Sequence, residues 1–207
     1  SKVAQIMMYG ANVVAVKGTC SDAFKLAKIA THKYGWFNVT STFLNPYATE
    51  GDKTLGYEIA EQLGKQPDWV IIPIGVGALL VGSWKAFEEL NKLDVLHGLP
   101  SMVGVQAEGC SPIAKAFKQG KANVEEWGKP KTVASAIADP LWGYAQDGTY
   151  ALEIIRESKG LGEACTDREI LEAMKVLAKT ESVFAEPAGG ASVAGLKKLV
   201  EAGRIDR

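Results

Sequence analysis

The segment Trp69-Val70-Ile71-Ile72-Pro73-Ile74 runs without a charge into Gly75-Val76-Gly77-Ala78-Leu79, and this junction constrains the fold more than any other stretch of the chain. A short continuous apolar run of this kind suits a strand buried on both faces, which belongs in a parallel sheet covered by helices. Glycine directly after such a strand lets the backbone turn sharply into the next element. Parallel strands need crossover connections, and the rest of the chain offers them: helical and strand periodicities alternate, separated by short polar breaks. The 22 glycines among 207 residues, about 11% against a usual share of ~7%, fit many tight turns of this sort. The expectation is an α/β fold with parallel sheets and helices on both faces.

Periodicity and end signals predict helices over Lys2–Tyr9, Ser21–Tyr34 with Ser21 or Asp22 as cap, Lys53–Leu63, Ala78 to about Lys92, Tyr150–Glu157, Asp167–Lys179 and Ala191–Ala202. Another starts near Ser111, with Pro112 in its first turn, and Thr166 or Asp167 caps the one that begins at Asp167. Strands are predicted at Val13–Val16, Trp36–Thr40, Trp69–Ile74, Met102–Ala107 and Val183–Ala185, with long connecting structure from Gly120 to Gly148. Asn45-Pro46 opposes helix continuation, because proline fixes its own φ and restricts the residue before it. A boundary is therefore expected there, dividing a small βα subdomain (residues 1–47) from a larger one (residues 48–207).

Several function classes are excluded by composition. Lys plus Arg number 23 and Asp plus Glu 24, and no stretch concentrates basic residues, so nucleic acid is not an expected partner. No apolar run approaches the ~18 residues that span a bilayer, and Ser1-Lys2-Val3-Ala4-Gln5 lacks the order of a signal peptide, so no membrane partner is expected. Cys20, Cys110 and Cys165 are far apart and never form Cys-x-x-Cys, so they read as reduced thiols and no metal site is expected. A cytoplasmic protein is the default, and the absence of an initiating Met suggests a chain that begins inside a larger one.

The chemistry-bearing candidate is the loop Gly75, Val76, Gly77, Ala78 and Leu79. Backbone N–H groups of such a turn converge on an anion, and the helix start adds partial positive charge. Two ligands could use it. A dinucleotide needs Gly-x-Gly-x-x-Gly with an acidic residue after the next strand; Gly75, Gly77 and Glu108 answer to that, but Leu80 stands where the third glycine belongs. A single phosphate, as on pyridoxal phosphate, needs only the loop amides and the helix end; spacing leaves both ligands open, beside a tight turn that needs glycine for sterics alone. His32 and His97 read as surface residues, Ser83-Trp84-Lys85 as a solvated lysine beside a buried tryptophan, and Glu186-Pro187 as a turn former rather than a catalytic carboxylate. No hydrolase motif occurs.

Six segments together resemble the threonine synthase and threonine dehydratase group of pyridoxal-phosphate enzymes, the fold type II superfamily that includes tryptophan synthase β. They are Tyr9-Gly10-Ala11 with Val14 to Gly18; Asn45-Pro46 with Glu50-Gly51-Asp52-Lys53-Thr54; Pro67 to Gly75; Gly104 to Gly109; Thr132-Val133-Ala134 with Ile137; and Val183 to Ala188. The resemblance implies that Gly75 to Leu79 binds the cofactor's phosphate and that the protein is a lyase or synthase acting on a small amino acid by β- or γ-elimination and replacement. It also implies a cofactor-bearing lysine in Ser-x-Lys-Asp; no lysine here stands in that context, so no catalytic residue is assigned and both ends read as truncated. In this chain alone the loop is expected to be empty or to hold a phosphate or sulfate ion. Substrate contacts fall by the same resemblance at Thr42, Phe43 and Ala48, where threonine synthases carry Asn, Ser and Arg. Alanine cannot replace an arginine's bidentate grip, so the family carries over more firmly than the phosphorylated substrate. A homo-oligomer is expected from apolar surface left uncovered. The alternative is a non-catalytic phosphate- or nucleotide-binding α/β module.

Overall fold

The computed structural model describes residues 2–40 and 42–206. Two helices come first, α1 (Lys2–Met8) and α2 (Cys20–Tyr34), followed by α3 (Pro46–Leu63). Then strands and helices alternate: β1 (Trp69–Pro73), α4 (Ala78–Lys92), β2 (Ser101–Ala107), α5 (Pro112–Lys118), a 3₁₀ turn at Ser135–Ile137, α6 (Ala145–Glu157), β3 (Leu161–Cys165), α7 (Asp167–Glu181) and α8 (Pro187–Glu201).

The three strands form one parallel sheet in the order β1-β2-β3, with Val70 opposite Met102 and Val105 opposite Glu163. Side chains alternate across the pleat, so the sheet feeds two cores. Val70, Ile72, Ile74 and Met102 pack with Leu80, Trp84 and Phe87 of α4 and with Leu152 and Ile155 of α6. Val103, Val105, Leu161 and Cys165 pack on the opposite face with Ile170 of α7 and Ala191, Ala194 and Leu199 of α8. The parallel α/β architecture with both faces covered is thus the one expected.

Several elements depart from the sequence reading. Strand β3, Leu-Gly-Glu-Ala-Cys, was not predicted, since it has no β-branched or aromatic residue. Its position is set by close approach instead: a Cβ on Gly160 would lie 1.8 Å from the Met102 carbonyl oxygen. Conversely, Val13–Val16, Trp36–Thr40 and Val183–Ala185 form no strand. β-propensity does not make a strand without a partner edge, and Val14, Trp36, Phe37, Val39 and Phe184 are all largely exposed. The sheet therefore lies wholly within residues 69–165.

Pro46 starts a helix rather than interrupting the chain: it occupies the first turn of α3, where its missing N–H has no intrahelical acceptor to lose. That helix begins seven residues before the predicted Lys53. The cap of α2 is Thr19, neither Ser21 nor Asp22; Asp22 takes the third helical position and accepts bonds from the Thr19 N–H (2.7 Å) and hydroxyl (2.9 Å). The same capping box forms as expected at α7 between Thr166 and Glu169. Helices α6 and α8 each begin a few residues before the predicted starts.

Candidate active-site cleft at the end of strand β1

Ligands of parallel α/β sheets bind outside the carboxyl ends of the strands. At that end of β1 lies a cleft of about 450 Å³, lined by Cys20, Asp52, Pro73 to Leu79, and Ser135 to Asp139. The predicted loop Gly75, Val76, Gly77, Ala78, Leu79 forms one wall.

Gly77 caps α4 with φ 100°, a conformation that only glycine adopts readily. A Cβ there would also lie 2.4 Å from Cβ of Ala151 on α6. Neither Val76 nor Ala78 has a positive φ, so the two residues bulkier than glycine leave the turn unstrained. The first intrahelical bond of α4 runs from Val81 N–H to the Gly77 carbonyl at 3.0 Å. The N–H groups of Ala78, Leu79 and Leu80 therefore have no acceptor one turn back, and they sit at the positive end of a 15-residue helix. Leu80, in the place of a third glycine, is fully buried in the core, and Glu108 is exposed and outside the cleft lining. A dinucleotide fingerprint is not assembled.

Gln106, the penultimate residue of β2 and fully buried, fixes the loop from beneath. Its side-chain NH2 donates to the Gly75 carbonyl (3.1 Å), while its Oε1 accepts from Ile113 N–H (2.9 Å) and Ala114 N–H (3.0 Å) in the first turn of α5. Sequence reasoning missed it, although a glutamine inside the apolar run Met102–Ala107 is a visible signal: a buried amide must find partners.

The opposite wall carries a second network. Tyr144 hydroxyl donates to Asp139 Oδ1 (2.7 Å), as does Leu141 N–H (2.9 Å). Ser21 Oγ lies 3.1 Å from the Tyr144 hydroxyl and accepts from Trp142 N–H (3.2 Å). Burial, opposed by the Ser21 bond and aided by the Asp139 charge, raises the Tyr144 pKa further, so the phenol stays protonated. Asp52 on α3 is also raised by burial.

The other predicted substrate positions lie apart from this cleft. Thr42 is buried and its Oγ1 is 3.1 Å from that of Thr40. Phe43 N–H donates to Asp147 (3.4 Å), and its ring meets Tyr150 edge-on with centroids 5.2 Å apart. Ala48 lies in the first turn of α3, one turn before Asp52. None of the three lines the cleft. His97 is exposed beside Asp94, and Trp84 is buried while Lys85 pairs with Glu50 on the surface. Glu186 takes the N-cap position of α8. Among the described residues no group of three His, Cys, Asp or Glu side chains could hold a metal ion, and no helix is long and apolar enough to cross a membrane.

The profile of the family described as "Pyridoxal-phosphate dependent enzyme" matches residues 1–207. The chain belongs to this family. Within it, the chain is 42% identical to the threonine synthase of Methanocaldococcus jannaschii and 44% identical to that of Methanosarcina acetivorans, in each case over all of this chain and 50% of the relative. It is 39% identical to the threonine synthase of Halalkalibacterium halodurans over 54% of that protein. The chain thus spans about half the length of the curated relatives it matches. Among solved structures, threonine deaminase isoform 2 of Solanum lycopersicum covers the whole chain with 56% of its own length, at TM-score 0.78 and 22% identity. Serine racemase of Dictyostelium discoideum matches 98% of the chain and 60% of its own, at TM-score 0.74 and 22% identity. These similarities show the fold type II architecture.

The loop fits the phosphate of the family's cofactor on its donor set: amides without intrahelical acceptors, a left-handed glycine closed over by Ala151, and a helix start behind them. Among the described residues, none lining the cleft is a lysine.

Proposed function

We propose that Gly75, Val76, Gly77, Ala78 and Leu79 hold the phosphate of pyridoxal phosphate, within an enzyme of the threonine synthase type acting on a small amino acid. The observation that carries the reading is the pair of N–H groups of Ala78 and Leu79, without intrahelical acceptors, in the wall of a cleft beyond the carboxyl end of β1. The bound cofactor supplies an electron sink for elimination and replacement at the β- or γ-carbon of the amino acid. The loop's own contribution is binding and orientation, and Gln106 keeps it in register with α5.

With no lysine in the cleft wall, the residues described hold the cofactor through its phosphate alone, and inorganic phosphate or sulfate can take the same place. Residues 1–47 and 48–207 are the proposed small and large subdomains, and Thr42, Phe43 and Ala48, outside the lining of this cleft, are substrate positions by the family resemblance alone. A cytoplasmic, homo-oligomeric enzyme is the accompanying expectation, motivated by exposed Met8, Tyr9, Val14, Trp36 and Phe37. Light scattering showing a monomer at high concentration would remove the oligomer from the proposal.

The reading of the loop is tested by calorimetry with pyridoxal phosphate and with pyridoxal. The phosphate ester should bind at least tenfold more tightly, and Gly77→Val should abolish the difference. Equal affinity for the two would refute the assignment.

A further inference from the structure

The wall facing the phosphate loop carries a carboxylate that no cationic side chain among the described residues neutralises. Asp139 lines the same cleft as Gly75 to Leu79, and a Cβ built on Gly75 would lie 3.4 Å from the Asp139 Cβ. Among the described residues no lysine, arginine or histidine pairs with it. Its charge is felt nearby: burial first, and Asp139 second, push the Cys110 thiol up to about 12.

The carboxylate is held in place with unusual care. Tyr144 has one hydroxyl proton, and it goes to Asp139 Oδ1; the Ser21 hydroxyl must then donate to Tyr144 while accepting from Trp142 N–H. Three bonds in series point their donors toward Oδ1, each polarising the next. Tyr144 and Ser21 are each 2% exposed, so the bond between them is buried. Leu141, whose N–H is the second donor to Oδ1, adopts φ 60° with a fully buried side chain, a left-handed conformation that a leucine holds only where its surroundings impose it. All these bonds fall on Oδ1, leaving Oδ2 without a partner among the described residues. Asp52, the other carboxylate of the cleft, has no donor fixing it among the described residues, and burial favours its neutral form.

We infer that Asp139 is a specificity-determining residue that contacts a protonated amine on the phosphate-bearing ligand. Resting on the phosphate reading of the loop, this defines the cleft as a site for a ligand with an anionic end and a cationic end. An unpaired, rigidly held carboxylate is complementary to an ammonium and repels a further anion.

The test uses two probes that bind without a covalent bond to the protein. Pyridoxamine phosphate carries an ammonium where pyridoxine phosphate carries a neutral hydroxyl, and on the unaltered protein the amine should bind at least fivefold more tightly. Asp139→Asn keeps the Oδ1 acceptor and removes the charge. It should abolish that preference while leaving the affinity for inorganic phosphate equal or higher. Tyr144→Phe, which frees Oδ1, should reduce the preference in part. Equal affinity of the unaltered protein for the two probes, or a preference that survives in Asp139→Asn, would overturn the assignment of Asp139 with the loop reading intact. If the unaltered protein binds none of the three phosphates, the loop reading itself is refuted, and the role of Asp139 with it.

Discussion

Replacing Gln106 with leucine isolates the part of the site that sequence patterns did not reveal. Leucine fills a similar volume in the core, so the cavity contribution is small, and the loss lies in hydrogen bonding. Ile113 N–H and Ala114 N–H would be left buried with no acceptor, since both bonds end on Gln106 Oε1 and the first turn of α5 has no other cap. Each buried donor left unpaired costs about 1–3 kcal/mol, which gives about 2–6 kcal/mol for the pair. The Gly75 carbonyl is beside the open cleft and can take water, so it adds little. In a chain of this size about 3 kcal/mol corresponds to a fall in Tm of roughly 6–12 °C. Urea titration followed by circular dichroism is the assay, with phosphate affinity measured alongside, because the loop loses its tie to β2. A change in stability below about 0.5 kcal/mol would show that the buried amide is not what joins loop, strand and helix.

Gly160→Ala should separate β3 from β2, since the added methyl meets a backbone carbonyl at 1.8 Å and neither strand can yield without breaking the ladder; a loss of at least about 2 kcal/mol in urea titration is expected. Cys110 and Cys165, both fully buried and held near 12 by desolvation, should resist alkylation at pH 8 while exposed Cys20 reacts, with all three reacting in urea by mass spectrometry. The sign of the same shifts predicts alkaline sensitivity: the folded state keeps these protons where the unfolded thiols lose them, so stability is full below about pH 9 and falls as pH rises toward 12. Asp52→Asn should raise the urea midpoint at pH 7, because the folded pKa lies above the unfolded one and the ionised form is penalised; the gain should vanish near pH 3, where both states are protonated.

What the sequence made legible was whatever rests on local signals. The strand at Trp69 and the glycine turn after it are set by a charge-free run and by a backbone that only Gly77 can follow, and both stand where the pattern put them. The capping box of α7 is spelled out by Thr166 and Glu169, three residues apart. What stayed hidden depends on partners distant in sequence. Strand β3 exists because Gly160 and Gly162 admit β2 and Phe117 at close range, which no propensity reports. Val13–Val16 and Trp36–Thr40 carry strong propensity and find no edge to pair with. At the site, the loop was visible because it is continuous in sequence. The Asp139–Tyr144–Ser21 network was not, because its members are joined across 123 residues.

Crystals soaked in inorganic phosphate, and separately in pyridoxal phosphate, test directly whether the turn from Gly75 to Leu79 receives a phosphate. Phosphate density is expected within hydrogen-bond distance of the Gly77 and Ala78 amides in both soaks, with the pyridoxal ring lying in the cleft toward Asp139. Density confined to other parts of the surface, or a cofactor bound with its phosphate away from this turn, would contradict it.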